Sequence, residues 1–189
     1  MNRPIGLIDC DGPLADFSAP TIDLVQRHIP EWKPPEQWDF HSLLPPDVKA
    51  LVNELWVSKG FASSLQPTEG AQEHVRELAE HHEIFVVTSP MKDSETWAHE
   101  RTQWLAKHFG IDREHVVFSS TKHIIYGAYL IDDKIGHIRA WGSQWPGGRS
   151  RALLWKMWHN AKGHNRHVGA DNWPEMLRLA LEVGQRESQ

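Results

Sequence analysis

PIGLIDCDGPLADF, residues 4–17, decides the fold. Residues 4–9 form a short apolar run that ends in an acid, the pattern of a buried strand. Asp9 and Asp11 stand two apart, so on an extended backbone both side chains point to one side. Two carboxylates this close repel, and the pKa of one rises unless a cation intervenes. Mg²⁺ suits such a pair: it is a hard ion that takes oxygen ligands, often one or two carboxylates plus a substrate phosphate. Gly12 then permits a tight turn and close backbone approach. Taken alone, the same residues also describe an ordinary Asp-Gly turn.

Outward from this stretch, residues 14–28 carry apolar side chains at helical spacing and stop before Pro30. Residues 30–46, rich in Pro and Trp, read as loop. Residues 47–59 predict a second helix closed by Gly60, and residues 68–82 a third, with Thr68 as N-cap and Glu69 and Glu73 in its early turns. EIFVVT, residues 83–88, is β-branched and apolar, as a buried parallel strand requires. A helix follows over residues 94–108, stopped by Gly110. Short strands are expected at residues 116–118, at YLID (residues 129–132) and at residues 151–155. Residues 135–141 predict a short helix, and residues 171–183 a terminal one capped by Asp171 or Asn172.

Strands alternating with helices predict an α/β fold, a Rossmann-like parallel sheet covered on both faces. Ligands of such sheets sit beyond the carboxyl ends of the strands. Three strands deliver polar groups to that edge: Asp9 and Asp11, Thr88 and Ser89, Asp132 and Asp133. The hydroxyls and backbone N–H groups of TSP suit phosphate oxygens, or equally a helix cap. Lys122, shortly before YLIDD, supplies a point cation for phosphate.

Composition narrows the class. The 189 residues suit one domain with a small insertion. With 40% hydrophobic and 24% charged residues the chain is neither disordered nor collagen-like, and its single cysteine, Cys10, excludes a disulfide scaffold. The early apolar run is too short for a membrane span or a signal core, which predicts a soluble, cytoplasmic protein with no membrane partner. A net charge of -5 implies no broad basic face for a nucleic-acid polymer, yet leaves room for a small anion at one concentrated site. Ten Trp and 13 His are unusually many. The tryptophans serve packing or, near a site, a stacking platform for a flat ligand.

Asp9-x-Asp11, Thr88, Lys122 and Asp132-Asp133, in this order and on these strand ends, resemble the four motifs of the haloacid dehalogenase superfamily of phosphatases. DGPLADF, TSP followed by a helix containing HERTQWL, LIDDK, HNRH and DNW narrow the likeness to the 5'(3')-deoxyribonucleotidase family, over nearly the whole chain. The resemblance implies a catalytic core of residues 1–16 and 67–189 with a small helical cap, residues 17–66, inserted after the first strand. It also implies removal of phosphate from nucleoside monophosphates, often deoxy forms, and a homodimer as a plausible assembly. Asp9 would be the nucleophile, and Asp11 the general acid and then base, lending its backbone carbonyl to Mg²⁺. Asp9 and Asp132 would hold the ion, with Asp133 direct or through water. Thr88, Ser89 and Lys122 would grip the phosphoryl oxygens. Phe17 and Phe61 match aromatic base-pocket positions, and Arg101 matches a basic residue placed to reach phosphate or sugar.

The chain departs from the family at Ala62, where a second aromatic is usual, with Trp38 and Trp56 as candidate replacements, and at Ser120, where relatives carry Arg. Two rival readings stay open: the same core acting on another phosphomonoester such as a sugar phosphate, and a non-catalytic nucleotide binder. Cys10, flanked by no phosphate-cradling loop, reads as a buried small apolar residue. His159, His164 and His167 fit no zinc spacing and read as part of a structural turn. GGRSR reads as a short basic loop, and neither GxxxxGK[ST] nor GxGxxG occurs.

Overall fold

The structure, a computed structural model, describes residues 3–187, with side chains to residue 184. In chain order the elements are β1 (Ile5–Ile8), α1 (Ser18–His28), α2 (Pro46–Val57), α3 (Phe61–Ser64), α4 (Ala71–His81), β2 (Glu83–Thr88), α5 (Trp97–Phe109), β3 (Val116–Phe118), β4 (Tyr129–Asp132), α6 (Ile135–Gln144), α7 (Gly148–Arg151), β5 (Ala152–Trp155), β6 (Gly169–Ala170) and α8 (Trp173–Glu187). All strand pairs are parallel, in the order β3-β2-β1-β4-β5-β6.

Strand periodicity builds two cores from one sheet. Ile8, Ile84, Val86, Ile131 and Leu153 face one cluster, together with Val75 and Leu78 of α4, Trp104 of α5 and Met176 of α8. Their strand neighbours Leu7, Val87, Leu130 and Leu154 face the other, closed by Ile138 and Trp141 of α6. Both faces are therefore apolar, and the polar groups collect where the strands end. Register aligns them: Ile8 pairs with Val86 and with Ile131, so Asp9 follows beside Asp132. The Asp9 N–H donates to the Ile131 carbonyl at 2.8 Å.

Several expected boundaries move. The first helix begins at Ser18, not Leu14, because residues 10–15 coil instead: the Leu14 and Ala15 N–H groups both donate to the Cys10 carbonyl. Thr68 is not an N-cap. Its hydroxyl donates to the Gly12 carbonyl at 2.7 Å, and α4 is entered through Gly70 at φ 74°. Gly60, at φ 92°, opens α3 rather than closing α2, which ends at Val57. α5 begins at Trp97 and ends, as expected, at a left-handed Gly110. Arg151 belongs to α7, so the fifth strand starts one residue later. Two-residue β6 and the 3-10 segment Trp158–Arg166 were not foreseen. The Asn172 side chain accepts from the Glu175 N–H at the start of α8, which settles the choice of cap there.

Between β1 and α4 lies the helical insertion. α1 and α2 share a small core of Val25, Val48 and Val52 with Leu44. α3 does not join it: Phe61 and Ala62, with Leu65 just beyond, pack into the main core, and the Trp104 indole N–H donates to the Leu65 carbonyl at 2.7 Å. The insertion is thus rooted in the sheet's own core at its C-terminal end.

Candidate active site

The ends of β1 and β4, with the turn carrying Lys122, form a buried charge cluster. Lys122 is 2% exposed, and its Nζ lies 2.7 Å from Asp9 Oδ1 and 2.8 Å from Asp132 Oδ2. Burial works against its charge, but the two carboxylates overcome that and hold its pKa above the ordinary lysine range. Asp9 Oδ1 also accepts from the Cys10 N–H at 2.7 Å, whereas Oδ2 accepts no hydrogen bond among the described residues.

Asp132 is saturated. Besides Lys122 it accepts from the Lys134 N–H at 2.8 Å, and His137 Nδ1 lies 3.1 Å from Oδ2. Burial pushes its pKa up, but Lys122 and His137 outweigh that and bring it to about 2. Asp133 differs. Oδ2 lies 3.1 Å from His159 Nε2, while Oδ1 is buried without a partner. Burial, then the charge of Asp132, pushes the Asp133 pKa well up, and burial with the neighbouring carboxylates does the same to Asp9.

A divalent cation fits this set. Buried carboxylates with raised pKa values and an orphaned carboxylate oxygen are what a hard ion relieves. Oxygen or nitrogen atoms of Asp9, Asp132 and His137 lie within 4.8 Å of one another. Between Asp9 and Asp132, however, the Lys122 ammonium already sits at hydrogen-bond distance from both. The open oxygens are Asp9 Oδ2 and Asp133 Oδ1. Gly12 lies beside the Asp133 carboxylate at φ 95°, and a Cβ there would meet Asp133 Oδ2 at 3.0 Å. Only glycine allows both this backbone and this approach.

Thr88 is fully buried at the end of β2, its hydroxyl without a partner, and Ser89 follows half-buried. An orphaned buried hydroxyl at a strand end suits a phosphoryl oxygen. Asp11 is held from another direction: Arg101 Nη2 lies 2.7 Å from Asp11 Oδ1. Arg101 is fully buried, with its guanidinium carbon 4.6 Å from the Trp97 ring centre, and its Nε and Nη1 have no hydrogen-bond partner. Burial raises the Asp11 pKa although Arg101 and Lys122 pull against it. The preceding residue, Glu100, accepts from the Gly60 N–H at 2.8 Å. Consecutive residues of α5 therefore hold Asp11 and the start of α3.

The aromatic wall is assembled from four places. Phe17 lies 5.4 Å from Trp56, 5.7 Å from Phe61 and 6.1 Å from Trp97, centre to centre. Trp56 is the candidate that sits beside Phe17. Trp38 does not: it meets His159 edge-on at 5.0 Å, with the Lys134 ammonium 5.0 Å from its ring centre. Sequence reasoning missed Trp97, which α5 brings within 6.1 Å of Phe61. It also missed His159, which is no mere turn residue. His159 is buried against Asp133, and burial lowers its pKa to about 4, so it is neutral near pH 7. His137 was missed too. Its position five residues after Asp132, in the first turn of the following helix, was the one available signal. Cys10 is buried as expected.

A family model described as "5' nucleotidase, deoxy (Pyrimidine), cytosolic type C protein" matches residues 3–185. The human cytosolic-type 5'(3')-deoxyribonucleotidase is 29% identical over 203 residues, with 96% of each chain covered. The mouse mitochondrial 5'(3')-deoxyribonucleotidase is 30% identical over 143 residues, covering 68% of this chain and 63% of its own. Among solved structures, a Burkholderia xenovorans protein provisionally assigned as a haloacid dehalogenase-like hydrolase superposes with a TM-score of 0.61 at 15% identity, over 97% of this chain and 99% of that one. At that identity the superposition speaks for the fold. Together with the buried carboxylate cluster at the strand ends, these matches make the chain a member of the 5' nucleotidase, deoxy (pyrimidine), cytosolic type C family, a phosphomonoester hydrolase for nucleotides on a haloacid dehalogenase-like fold.

Proposed function

We propose that the protein is a Mg²⁺-dependent phosphatase of deoxynucleoside 5'-monophosphates that works through an aspartyl-phosphate. The observation that carries this reading is the division of labour between the two first-strand carboxylates. Asp9 keeps one oxygen bonded to Lys122 and leaves the other open, while Asp11 is gripped by Arg101 and has its pKa raised. One is dressed as a nucleophile and the other as an acid.

In the first step one Asp9 carboxylate oxygen attacks phosphorus and the bond to the nucleoside oxygen breaks. Asp11 gives its proton to the departing alkoxide. In the second step Asp11 takes a proton from water, which attacks the aspartyl-phosphate and frees inorganic phosphate and Asp9. Asp9, Asp133 and the Asp11 carbonyl would hold Mg²⁺, which when bound supplies positive charge to the phosphoryl oxygens. Asp132 fixes Lys122, and Lys122, Thr88 and Ser89 neutralise and orient the phosphoryl group. The insertion of residues 17–66 acts as the cap, with Phe17, Trp56, Phe61 and Trp97 walling the base pocket. Arg101 serves this reading through Asp11. Among the described residues no helix is long and apolar enough to cross a membrane, and we place the enzyme in the cytoplasm among free nucleotides.

The test is phosphate release from a panel of ribo- and deoxyribonucleoside monophosphates, with Mg²⁺ and with EDTA. Metal-dependent release that favours deoxy substrates is expected. Release only from sugar phosphates would keep the chemistry and discard the nucleotide; no release from any phosphomonoester would discard both.

A further inference from the structure

A second cationic site lies on the opposite side of α6 from Asp132. A cavity of about 420 Å³ opens between α6, α7 and the segment leading into β6. Arg139 and Ser143 reach it from one face of α6, a single turn apart, Arg149 comes from α7, and Arg166 and His167 come from the segment before β6. Gly142 forms part of the lining. A Cβ at this position would meet the Arg149 Cα at 3.3 Å, so the missing side chain lets α7 press against α6 and delivers Arg149 to the cavity.

The three arginines are exposed, and none has an ion pair or hydrogen bond among the described residues. Arg101 is paired with Asp11, and Arg178 with Glu175 and Glu182; Arg27, Arg76 and Arg113 are also exposed without an ion pair among the described residues, but they do not line this cavity, whereas Arg139, Arg149 and Arg166 come to it from three segments. Three uncompensated cations around one cavity repel each other, and an anion between them removes that cost. The cavity also holds a buried polar atom with no partner, His167 Nε2. Burial, then Arg139 and Arg166, lowers the His167 pKa, so the ring is neutral near pH 7 and can donate one N–H to a bound oxygen.

We propose that this cavity is a second, non-catalytic anion site that binds a compact oligophosphate. Three planar guanidinium forks match an anion with many oxygens at different bearings better than they match a single carboxylate. The volume suits an oligophosphate chain with little else. A duplex nucleic acid would need a broad basic face, which a chain of net charge -5 does not present. No residue of the cavity belongs to the catalytic cluster, so this site stands or falls independently of the phosphatase chemistry.

The probes are inorganic tripolyphosphate and a deoxynucleoside triphosphate, each titrated into the full-length protein in EDTA and followed by calorimetry and backbone amide NMR. Amide shifts centred on Gly142, Ser143 and Val168 are expected. The triple variant Arg139→Gln, Arg149→Gln, Arg166→Gln should bind at least tenfold more weakly and hydrolyse phosphomonoesters at the unchanged rate. Equal affinity for the two probes identifies the phosphate chain alone as the ligand, and tighter binding of the nucleotide adds its sugar and base. Shifts confined to Asp9, Thr88, Ser89 and Lys122, undiminished affinity in the triple variant, or no binding of either probe would overturn the proposal.

Discussion

The charge cluster at the strand ends and the aromatic wall beneath the insertion are built on different principles. Asp9, Lys122, Asp132 and Asp133 are locked by contacts of 2.7 to 3.1 Å to one another, to backbone N–H groups and to histidines. Phe17, Trp56, Phe61 and Trp97 touch one another only through ring faces and edges, at 5.4 to 6.1 Å between centres. The first region fixes where charge can develop, so small errors there cost orders of magnitude in rate. The second fixes a shape, and a lost ring there costs the stacking energy of one contact. Reaction type should therefore tolerate little change and base preference much.

The largest expected effect follows at Asp9. Asp9→Asn keeps the shape of the side chain and removes the nucleophile, so kcat should fall by about 10³-fold or more while circular dichroism stays native. Asp11→Asn removes only proton transfer and should cost about 10²- to 10⁴-fold with nucleotides. Because a nitrophenolate leaves without a proton, the attack of Asp9 on nitrophenyl phosphate, read as the single-turnover rate of nitrophenolate release, should suffer a much smaller penalty in the same variant. Equal losses of the single-turnover rate with nucleotide and with nitrophenyl phosphate would place Asp11 elsewhere in the reaction.

In the aromatic wall, effects should be smaller and of another kind. Phe17→Leu should raise KM for nucleotides by about 5- to 100-fold, the range of one base stacked on one ring, and leave KM for nitrophenyl phosphate nearly unchanged. Trp38→Ala, on the far side against His159, should leave the ranking of bases unaltered. A change in that ranking would extend the pocket to the Trp38 side.

The smallest effect is on stability in acid. The Asp132 pKa of about 2 lies below its ordinary value of 3.8. A carboxylate with a depressed folded-state pKa stabilises the fold above its unfolded pKa and loses that contribution as pH falls through the folded one. Between about pH 4 and pH 2 it should account for on the order of 2 kcal/mol of the lost stability. In Asp132→Asn, denaturant unfolding across that interval should show a correspondingly shallower slope.

The same contrast explains what the sequence disclosed. Strands β2, β3 and β4 stand where their apolar runs put them, and β2 and β4 end in the polar residues the chemistry uses, because a parallel strand is contiguous and so is its end. Thr68 misled: Ser, Thr, Asp and Asn look alike as caps, and only the fold reveals that the Thr68 hydroxyl is spent on the Gly12 carbonyl, 56 residues away. Trp97 and His159 were illegible for a related reason. Each meets its partner across a long sequence separation, Trp97 with Phe17 and His159 with Asp133, and no local spacing records such a contact. β6, two residues long, has no period to detect.

The most direct test of the covalent chemistry uses Asp11→Asn with labelled nitrophenyl phosphate, quenched in acid during the first turnover. Attack by Asp9 needs no proton donor for this leaving group, whereas hydrolysis of the aspartyl-phosphate does need Asp11 as base. A stoichiometric burst of nitrophenolate, with the label on the peptide that carries Asp9, is the expected result. Steady release without a burst and without protein-bound label would contradict the aspartyl-phosphate mechanism.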